Sequence, residues 1–449
     1  MTSSKDAVLP FYLALCVLLG GASAAGAVSN FVLQVLAICL IVLALRDSRS
    51  GPRPKSETSL NWLLLAGCAV ALLQFAPLPL TVWSLLGERA QIADFAQRSG
   101  VSITYPALSL MPHESLKSVV WALPGCAVLV WMQLTRAYRA DHLAWTIMAV
   151  TVASLALGTL QIGGGRDSAL YFYDITNRGS TTGFFANSNH LATLLLVSLP
   201  FIVAIVSKLS SRHRSNETPL MVGAIGVMLV VLAGIFINRA LTGYALVLPV
   251  LAASLLILKR LRGARRYALP VLALMVLVGV GLPLLTDEGA AIFGASASMQ
   301  PGDRRLVFAG TLRAAWDYAP FGSGLGSFRE IYRQYQDPLT TTTEYINHAH
   351  NDYLELLLET GLFGVVLLVL FLAWWLLRSK RIWAPNGGGP FQQAASIASG
   401  AILIHSFVDY PLRTAAMSSI FALCIALMAR RTDGEAAPLP SVPSAVSET

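Results

Sequence analysis

The sequence predicts an all-α, polytopic membrane protein with about 12 transmembrane helices and a helical loop that caps its extracytoplasmic face. Of the 449 residues, 55% are hydrophobic and 12% are charged, and the mean hydropathy is +0.62. A soluble globular chain carries roughly 25% charged residues, so the composition excludes a water-soluble fold. Apolar runs of about 17 to 25 residues, the length that crosses a ~30 Å hydrocarbon core, recur along most of the chain.

The apolar runs predict spans at approximately residues 8–26, 28–45, 60–77, 117–134, 142–162, 187–207, 219–236, 240–258, 267–285, 352–377, 391–408 and 413–429. The first run follows a single Lys5 and ends in small residues, as a cleavable signal peptide does. A second run follows at once, so we expect the first to remain as a helix. Residues 1–431 are interpreted as one transmembrane domain, and the Pro- and Ala-rich residues 432–449 as a disordered cytoplasmic tail.

The distribution of basic residues predicts the orientation in the membrane, because Lys and Arg in short loops stay on the cytoplasmic side. With the N-terminus inside, every predicted inside loop contains basic residues, from Lys5 before the first span to Arg430 and Arg431 after the last. We therefore expect a multi-pass protein of the inner membrane with both termini cytoplasmic. The net charge of +8 largely reflects this bias and requires no nucleic-acid partner.

The five cysteines lie within apolar runs and lack the spacing of a zinc site. They are Cys16, Cys39, Cys68, Cys126 and Cys424. We interpret them as small buried hydrophobic residues, and no metal site is predicted.

The predicted outside loop 286–351 is too long to be a simple connection, which indicates a functional cap. Within it, residues 304–319 have helical spacing, the glycine-rich stretch 321–326 predicts a turn, and residues 327–336 predict another short helix. A dinucleotide fingerprint would need a strand before the glycines, and none is predicted there. A further surface helix is expected near residues 82–97.

The cap loop closes with His-Ala-His-Asn-Asp-Tyr-Leu-Glu, residues 348–355. Asp352 and Glu355 match a capping box, which accounts for both acids as helix-start residues. His348 and His350 then have no structural role, and a neighbouring helix N-terminus favours a neutral imidazole that can accept a proton. An ordinary wet interfacial loop and a half-formed metal site are the alternatives.

Several arginines accompany these histidines on the predicted outer face. Arg239 lies in a turn so short that its guanidinium must sit at the bilayer boundary, where ionisable groups are usually functional or paired. Arg178 precedes the predicted sixth span, and Arg304 and Arg305 open the helical part of the cap. Guanidinium groups suit a diphosphate because they donate bidentately and stay charged. Snorkelling to lipid headgroups is the alternative for each.

The last predicted outside turn contains His405 and Asp409, four residues apart, followed by Arg413. The spacing places His405 and Asp409 on one helix face. They form either a structural hydrogen-bonded pair or a second wall of an acceptor site.

Residues 178–375 resemble the bacterial O-antigen ligase and polysaccharide polymerase superfamily of membrane glycosyltransferases. The most specific similarity is His-Ala-His-Asn-Asp-Tyr-Leu-Glu-Leu-Leu-Leu-Glu-Thr-Gly-Leu-Phe-Gly, residues 348–364. Gly-Phe-Phe-Ala-Asn-Ser-Asn-His at 183–190 and the helix end at residues 238–239 support it, as does Arg305 in the cap. Many relatives have Ser-Arg-Gly where this chain has Asn-Arg-Ala.

The resemblance implies about twelve helices, an extracytoplasmic cap and a glycan taken from undecaprenyl pyrophosphate without a metal ion or other cofactor. It implies that Arg239 and Arg305 bind the diphosphate, with the adjacent Arg304 as an alternative to Arg305, and that His350 is the essential histidine. Arg178 is expected as a third diphosphate contact. The residues expected to support these, or to contact the acceptor, are His348, Arg304, Asp409 and Arg413.

The expected function is transfer of this glycan to a polysaccharide or lipid A core acceptor on the periplasmic face, with inversion. The sequence does not distinguish a polymerase from a ligase. The alternative is a transporter of a small anion such as bicarbonate. Ion-coupled carriers keep ionisable residues or broken helices near mid-membrane, whereas the acidic residues within the predicted spans of this chain lie only in terminal turns.

Overall fold

The computed structural model describes residues 4–23, 26–50, 58–211, 218–258, 304–336 and 346–430. The predicted span 267–285, the first part of the cap loop and the tail lie outside the described residues. The α-helices within the described ranges are α1 (Val8–Leu19), α2 (Ala27–Ser50), α3 (Thr58–Leu73), α4 (Leu80–Trp83), α5 (Arg89–Arg98), α6 (Pro112–Trp121), α7 (Leu123–Leu134), α8 (Ala140–Gly163), α9 (Ser188–Ser210), α10 (Thr218–Asn238), α11 (Leu241–Leu255), α12 (Arg304–Asp317), α13 (Phe328–Tyr332), α14 (Asp352–Trp383), α15 (Pro390–His405) and α16 (Ala415–Ala429).

The predicted all-helical architecture is confirmed, since the described residues form helices and otherwise only isolated β-bridges. In the described ranges, α2, α8, α9, α10 and α14 are long and apolar enough to cross a membrane, and the pair α6–α7, bent by 44°, makes a sixth if it crosses as one span. The count of about twelve spans is therefore not confirmed. The apolar helices α3, α11 and α16 are shorter than 18 residues.

Helix α9 forms the centre of the bundle and is buried along almost its whole length. It packs against α8, α10, α11 and α15, while α16 packs against α1, α7 and α15. The apolar core continues from Leu194 and Phe201 of α9 to Ile402 and Met417 of the C-terminal helices. The outward faces of α2, α10 and α14 remain exposed and apolar, as expected for helices that contact lipid.

The prediction that the five cysteines are buried holds for two of them and is wrong for three. Cys16 and Cys424 are buried, whereas Cys39, Cys68 and Cys126 are exposed. Their helices present these residues on outer faces, where an apolar side chain suits lipid as well as it suits a protein core.

Helix α14 is broken near its start. Gly361 has φ 59° and ψ −146°, which is not helical, and this backbone region is essentially restricted to glycine. A Cβ atom at this position would lie 2.1 Å from the carbonyl oxygen of Pro320. Residues 362–383 alone, about 22 residues at ~1.5 Å each, span roughly 33 Å and can cross a bilayer. The break therefore separates the segment that can cross the bilayer, residues 362–383, from the acidic turns at the start of the helix, residues 352–360.

The cap docks into this break through main-chain atoms. The backbone N–H of Leu362 donates to Pro320 O at 2.7 Å, and those of Ser323 and Gly324 donate to Leu358 O and Glu359 O at 2.8 and 2.9 Å. The backbone carbonyls released by the break are thus paired by the turn that joins α12 to α13. The helix, turn and helix layout predicted for the cap is confirmed in these residues.

Arg89 holds the outer segment around α4 and α5 against the same turn. Its side chain is buried and donates to the carbonyl oxygens of Leu86, Leu108 and Gly322 at 2.9, 2.9 and 2.7 Å. Burial lowers the pKa of Arg89 to about 10. The predicted surface helix at 82–97 is instead two helices, α4 and α5, because Gly87 turns the chain between them with φ 64°.

Candidate functional site

The predicted site residues gather where several helices end or begin. Helices α10 and α15 end there, and α9, α12 and α14 begin there. The residues between α15 and α16 complete this end of the bundle. Because polar groups at helix ends escape burial among apolar helices, they can face a substrate as well as one another.

Glu355 joins the histidine segment to the first turn of α14. Its buried carboxylate accepts a hydrogen bond from His348 Nδ1 at 2.8 Å and one from the backbone N–H of Ala349 at 2.9 Å. Each carboxylate oxygen therefore accepts one hydrogen bond, Oε1 from His348 and Oε2 from Ala349. The expectation that His348 has no structural role is wrong, because its ring is anchored by this carboxylate.

The predicted capping box is also wrong, because Asn351 caps α14. The Asn351 Oδ1 atom accepts from the backbone N–H groups of Tyr353 and Leu354, both at 3.0 Å, and its Nδ2 donates to Phe407 O at 2.9 Å. Since Asn351 satisfies the free N–H groups, Asp352 and Glu355 are available for other contacts. The signal in the sequence was ambiguous, because Asn and Asp are equally good caps.

Arg413 lies among three carboxylates of α14. Its Nη1 donates to Glu359 Oε2 at 3.0 Å and lies 3.4 Å from Glu355 Oε1, and its Nε lies 3.5 Å from Asp352 Oδ1. Although burial opposes its charge, these carboxylates raise the pKa of Arg413 above its ordinary value. Arg413 is thus engaged by protein acids, and a phosphate would have to compete with them.

Asp409 is fully buried beside three histidines. Its Oδ1 lies 3.4 Å from His350 Nδ1, too long for a well-formed hydrogen bond, and its Oδ2 lies 4.0 Å from His405 Nε2. Burial favours the neutral acid, but His350, His190 and His405 together hold the pKa of Asp409 well below its usual range. The proposed His405–Asp409 hydrogen bond does not form, because the 4.0 Å separation is too long, and the other ring nitrogen of His405, Nδ1, pairs with Thr193 Oγ1 at 2.6 Å.

Tyr410 is an aromatic centre that the sequence reasoning missed. Its ring lies 4.3 Å from that of His348, 5.0 Å from that of His350 and 5.2 Å from that of His190, measured between centroids. His190 is buried, and neither of its ring nitrogens has a hydrogen-bond partner among the described residues. A weak signal for this contact is that His190 ends the Gly-Phe-Phe-Ala-Asn-Ser-Asn-His stretch.

Asp409, Tyr410 and the neighbouring histidines form a histidine cluster. Of the two neighbouring arginines at the start of α12, Arg304 faces this cluster. Arg304 Nη1 donates to Val408 O at 3.0 Å, next to Asp409. Arg305 is more exposed and lies on a different side of the helix, as expected for adjacent helical residues.

Arg239 lies between α10 and α11 with an exposed side chain and φ 58°. The preceding Asn238 is buried and donates through Nδ2 to Thr181 O at 3.0 Å and to Ser188 O at 3.1 Å. From Ser188 the chain leads back to Asn187, whose Nδ2 donates to Asp409 Oδ2 at 3.4 Å. Asn238 therefore connects the position of Arg239 to the histidine cluster.

Arg178 is placed differently from the other arginines. Its Nη1 donates to Arg166 O at 3.3 Å, and its guanidinium lies 5.7 Å from the ring of Tyr171. These contacts direct the side chain toward its own loop. In the described part of the chain, no group of three or more His, Cys, Asp or Glu residues has the geometry of a metal site.

The fold and these contacts define a helical membrane protein with a cap and a basic, histidine-rich site at one end of its bundle. Residues 226–369 match the family model described as O-Antigen ligase. This match confirms, over residues 226–369, the resemblance to the O-antigen ligase and polymerase superfamily. A search of curated proteins finds no match to the chain. The matched stretch includes Arg239, Arg304, Arg305, His348 and His350.

Proposed function

We propose that the protein transfers a glycan from undecaprenyl pyrophosphate to a saccharide acceptor on the periplasmic face of the inner membrane, without a cofactor. The observation that carries this proposal is the O-antigen ligase match over 226–369, which contains the proposed diphosphate arginines and both histidines of the cap loop. The family supports a function of the ligase or polymerase type, and the donor and acceptor are part of the proposal. Membrane lipids surround the exposed apolar helices.

The proposed reaction is a direct displacement with inversion. An acceptor hydroxyl forms a new bond to the anomeric carbon while the bond from that carbon to the diphosphate oxygen breaks. The electron pair of the broken bond stays on the diphosphate, and a histidine takes the hydroxyl proton. Fixed guanidinium groups stabilise the charge that develops on the leaving group.

The proposed diphosphate ligands are Arg239 and one of the pair Arg304 and Arg305. Arg304 contacts Val408 O, next to Asp409, and Asp409 Oδ1 lies 3.4 Å from His350 Nδ1. Arg239 is exposed at the end of a candidate span, a suitable depth for a donor that enters from the bilayer. Arg178 would become a third ligand only after releasing Arg166 O.

The remaining predicted site residues have supporting roles in this proposal. Asp409 lies against His350, and His350 acts as a base or orients the acceptor. Arg413 holds the acidic turns of α14 rather than the substrate.

The test uses purified protein and an undecaprenyl-pyrophosphate glycan, with and without a lipid A core acceptor. Product without added core identifies a polymerase, and product only with core identifies a ligase. His350→Ala and Arg239→Ala should each reduce transfer at least ~100-fold, whereas Arg98→Ala, an exposed arginine paired with Asp94 on α5, should not. Transfer that is unchanged in both site variants would refute the assignment.

Anion transport is the competing proposal, and the break in α14 is a feature that ion-coupled carriers also have. Here the break lies near the start of the helix, and residues 362–383 are long enough to cross the bilayer alone. A carrier would be supported if the protein formed no glycan product while cells lacking it lost bicarbonate uptake, and if His350→Ala and Arg239→Ala both restored that uptake.

A further inference from the structure

We propose that His348, oriented by Glu355, takes the proton from the acceptor hydroxyl, and that His350 orients the acceptor. This inference rests on the proposed glycan transfer and assigns the proton-accepting atom within it. Three features support it: the tautomer of His348, the rigidity of its ring and the different surroundings of His350.

The hydrogen bond to Glu355 determines the tautomer of His348. The Glu355 carboxylate is near Arg413, whose Nη1 lies 3.4 Å from Oε1, and it accepts the Ala349 N–H through Oε2. These two contacts favour an ionised carboxylate, which can only accept hydrogen bonds. The proton in the 2.8 Å contact therefore resides on His348 Nδ1, and in the neutral ring Nε2 carries the lone pair.

The ring of His348 is held in place while its free nitrogen remains available. Glu355 binds both the ring and the backbone of the next residue, Ala349, which is fully buried. The Tyr410 ring supports one side of the imidazole at 4.3 Å between centroids. The side chain of His348 is 13% exposed, and its Nε2 has no hydrogen-bond partner among the residues that the structure describes. A carboxylate that fixes one imidazole nitrogen and leaves the other as acceptor is the arrangement a general base requires.

His350 lacks this arrangement. Its Nδ1 is buried without a hydrogen bond in the described residues and lies 3.4 Å from Asp409 Oδ1. Its backbone has φ 52°, a left-handed conformation that costs a non-glycine residue energy. The side chain is 28% exposed, so its outer edge can contact a sugar hydroxyl.

The assignment gives a balanced step. The acceptor O–H bond breaks, and its proton moves to Nε2 of His348, which becomes an imidazolium beside the Glu355 carboxylate. The acceptor oxygen bonds to the anomeric carbon as the diphosphate leaves with the electron pair. Glu355 is thus a positioning residue, since it acts through His348.

The experiment measures transfer by the full-length protein with His348→Gln, His350→Gln and Glu355→Gln. His113→Gln, on an exposed histidine of α6, is the matched control. Loss of a general base reduces the rate by about 10²- to 10⁴-fold, so His348→Gln should lower kcat by at least ~100-fold with the KM for the donor unchanged. Added imidazole should restore part of kcat in His348→Gly, which a purely structural role for the ring would not allow. His350→Gln should mainly raise the KM for the acceptor.

Nitrogen-15 NMR of histidine-labelled protein gives a readout that does not depend on turnover. The wild type should show His348 protonated at Nδ1, and Glu355→Gln should lose this signature and lower kcat. An active wild type whose His348→Gln variant keeps kcat within ~3-fold would overturn this inference and leave glycan transfer standing, as would a proton found on Nε2. A wild type that transfers glycan to neither acceptor overturns both proposals.

Discussion

Arg413 Nη1 donates to Glu359 Oε2 across 3.0 Å and thereby joins the turn before α16 to the second turn of α14. Glu359 is fully buried, and its other oxygen has no hydrogen-bond partner in the described residues. Among the described residues, the Arg413 guanidinium is therefore the hydrogen-bond donor on which Glu359 depends, and it is also the countercharge near Asp352 and Glu355.

Replacing Arg413 with Gln should destabilise the protein by about 3–5 kcal/mol, because it leaves buried carboxylates without a countercharge. Thermal unfolding of the purified protein in detergent measures the effect. Arg98→Gln is the matched control, since Arg98 and Asp94 form an exposed pair of a kind that contributes ~0–1 kcal/mol. The double variant Arg413→Gln/Glu359→Gln should recover part of the loss. An Arg413→Gln protein as stable as Arg98→Gln would contradict the prediction.

Gly361→Ala should prevent the cap from docking on α14. The added Cβ would meet Pro320 O at 2.1 Å, and the backbone conformation is unfavourable for alanine. We expect a loss of at least ~2 kcal/mol, measured by thermal unfolding. Gly226→Ala is the control, because Gly226 lies in α10 with open space around its Cα; there alanine should be neutral or slightly stabilising. Equal stability of the two variants would refute the proposed role of the break.

Arg89→Leu should loosen the cap, because three carbonyl oxygens lose their donor within a buried site. Removing one partner of a buried hydrogen bond costs about 1–3 kcal/mol. Limited proteolysis should then cleave α12 or α13 faster than in the wild type. Arg89→Lys should rescue only in part, since one ammonium cannot reproduce the planar fork that reaches Leu86, Leu108 and Gly322. Unchanged proteolysis of Arg89→Leu would show that other contacts hold the cap.

Asp409 should make stability depend on pH in acid. Its pKa in the folded state is below the ordinary value, so the stability it contributes is complete above the unfolded pKa of about 3.9 and is lost as pH falls toward the folded value. The difference in unfolding free energy between the wild type and Asp409→Asn should therefore be largest near neutral pH and shrink below about pH 4. A difference that grew on acidification would contradict the assigned direction.

The helical architecture could be predicted from the sequence because apolar length and loop charge are local properties. The bend between α6 and α7 and the break at Gly361 could not, since each depends on how another segment packs. At Gly361 in particular, the polar residues Glu359 and Thr360 interrupt the apolar run, but only the docking of Pro320 and its neighbours explains the backbone conformation.

The histidines and arginines proposed for the site stand out in the sequence because their residue types are unusual beside apolar runs. Their hydrogen-bond partners could not be predicted, because contacts between segments that are distant in the sequence produce no recognisable spacing of residues. Glu355 was assigned to helix capping, although its carboxylate binds His348, and Tyr410 was not singled out. The choice between Arg304 and Arg305 depended on helix rotation, which a single sequence does not specify.

The turn of the cap is attached to α14 mainly by backbone N–H and carbonyl groups, together with the Ser323 hydroxyl, which donates to Leu358 O at 3.2 Å. Exposed residues of the cap that take no part in these contacts can therefore change without loss of the attachment. This freedom offers a route to engineering. Residues of the cap that face outward could be exchanged to recognise a different sugar, while the histidine segment, residues 348–350, keeps its position.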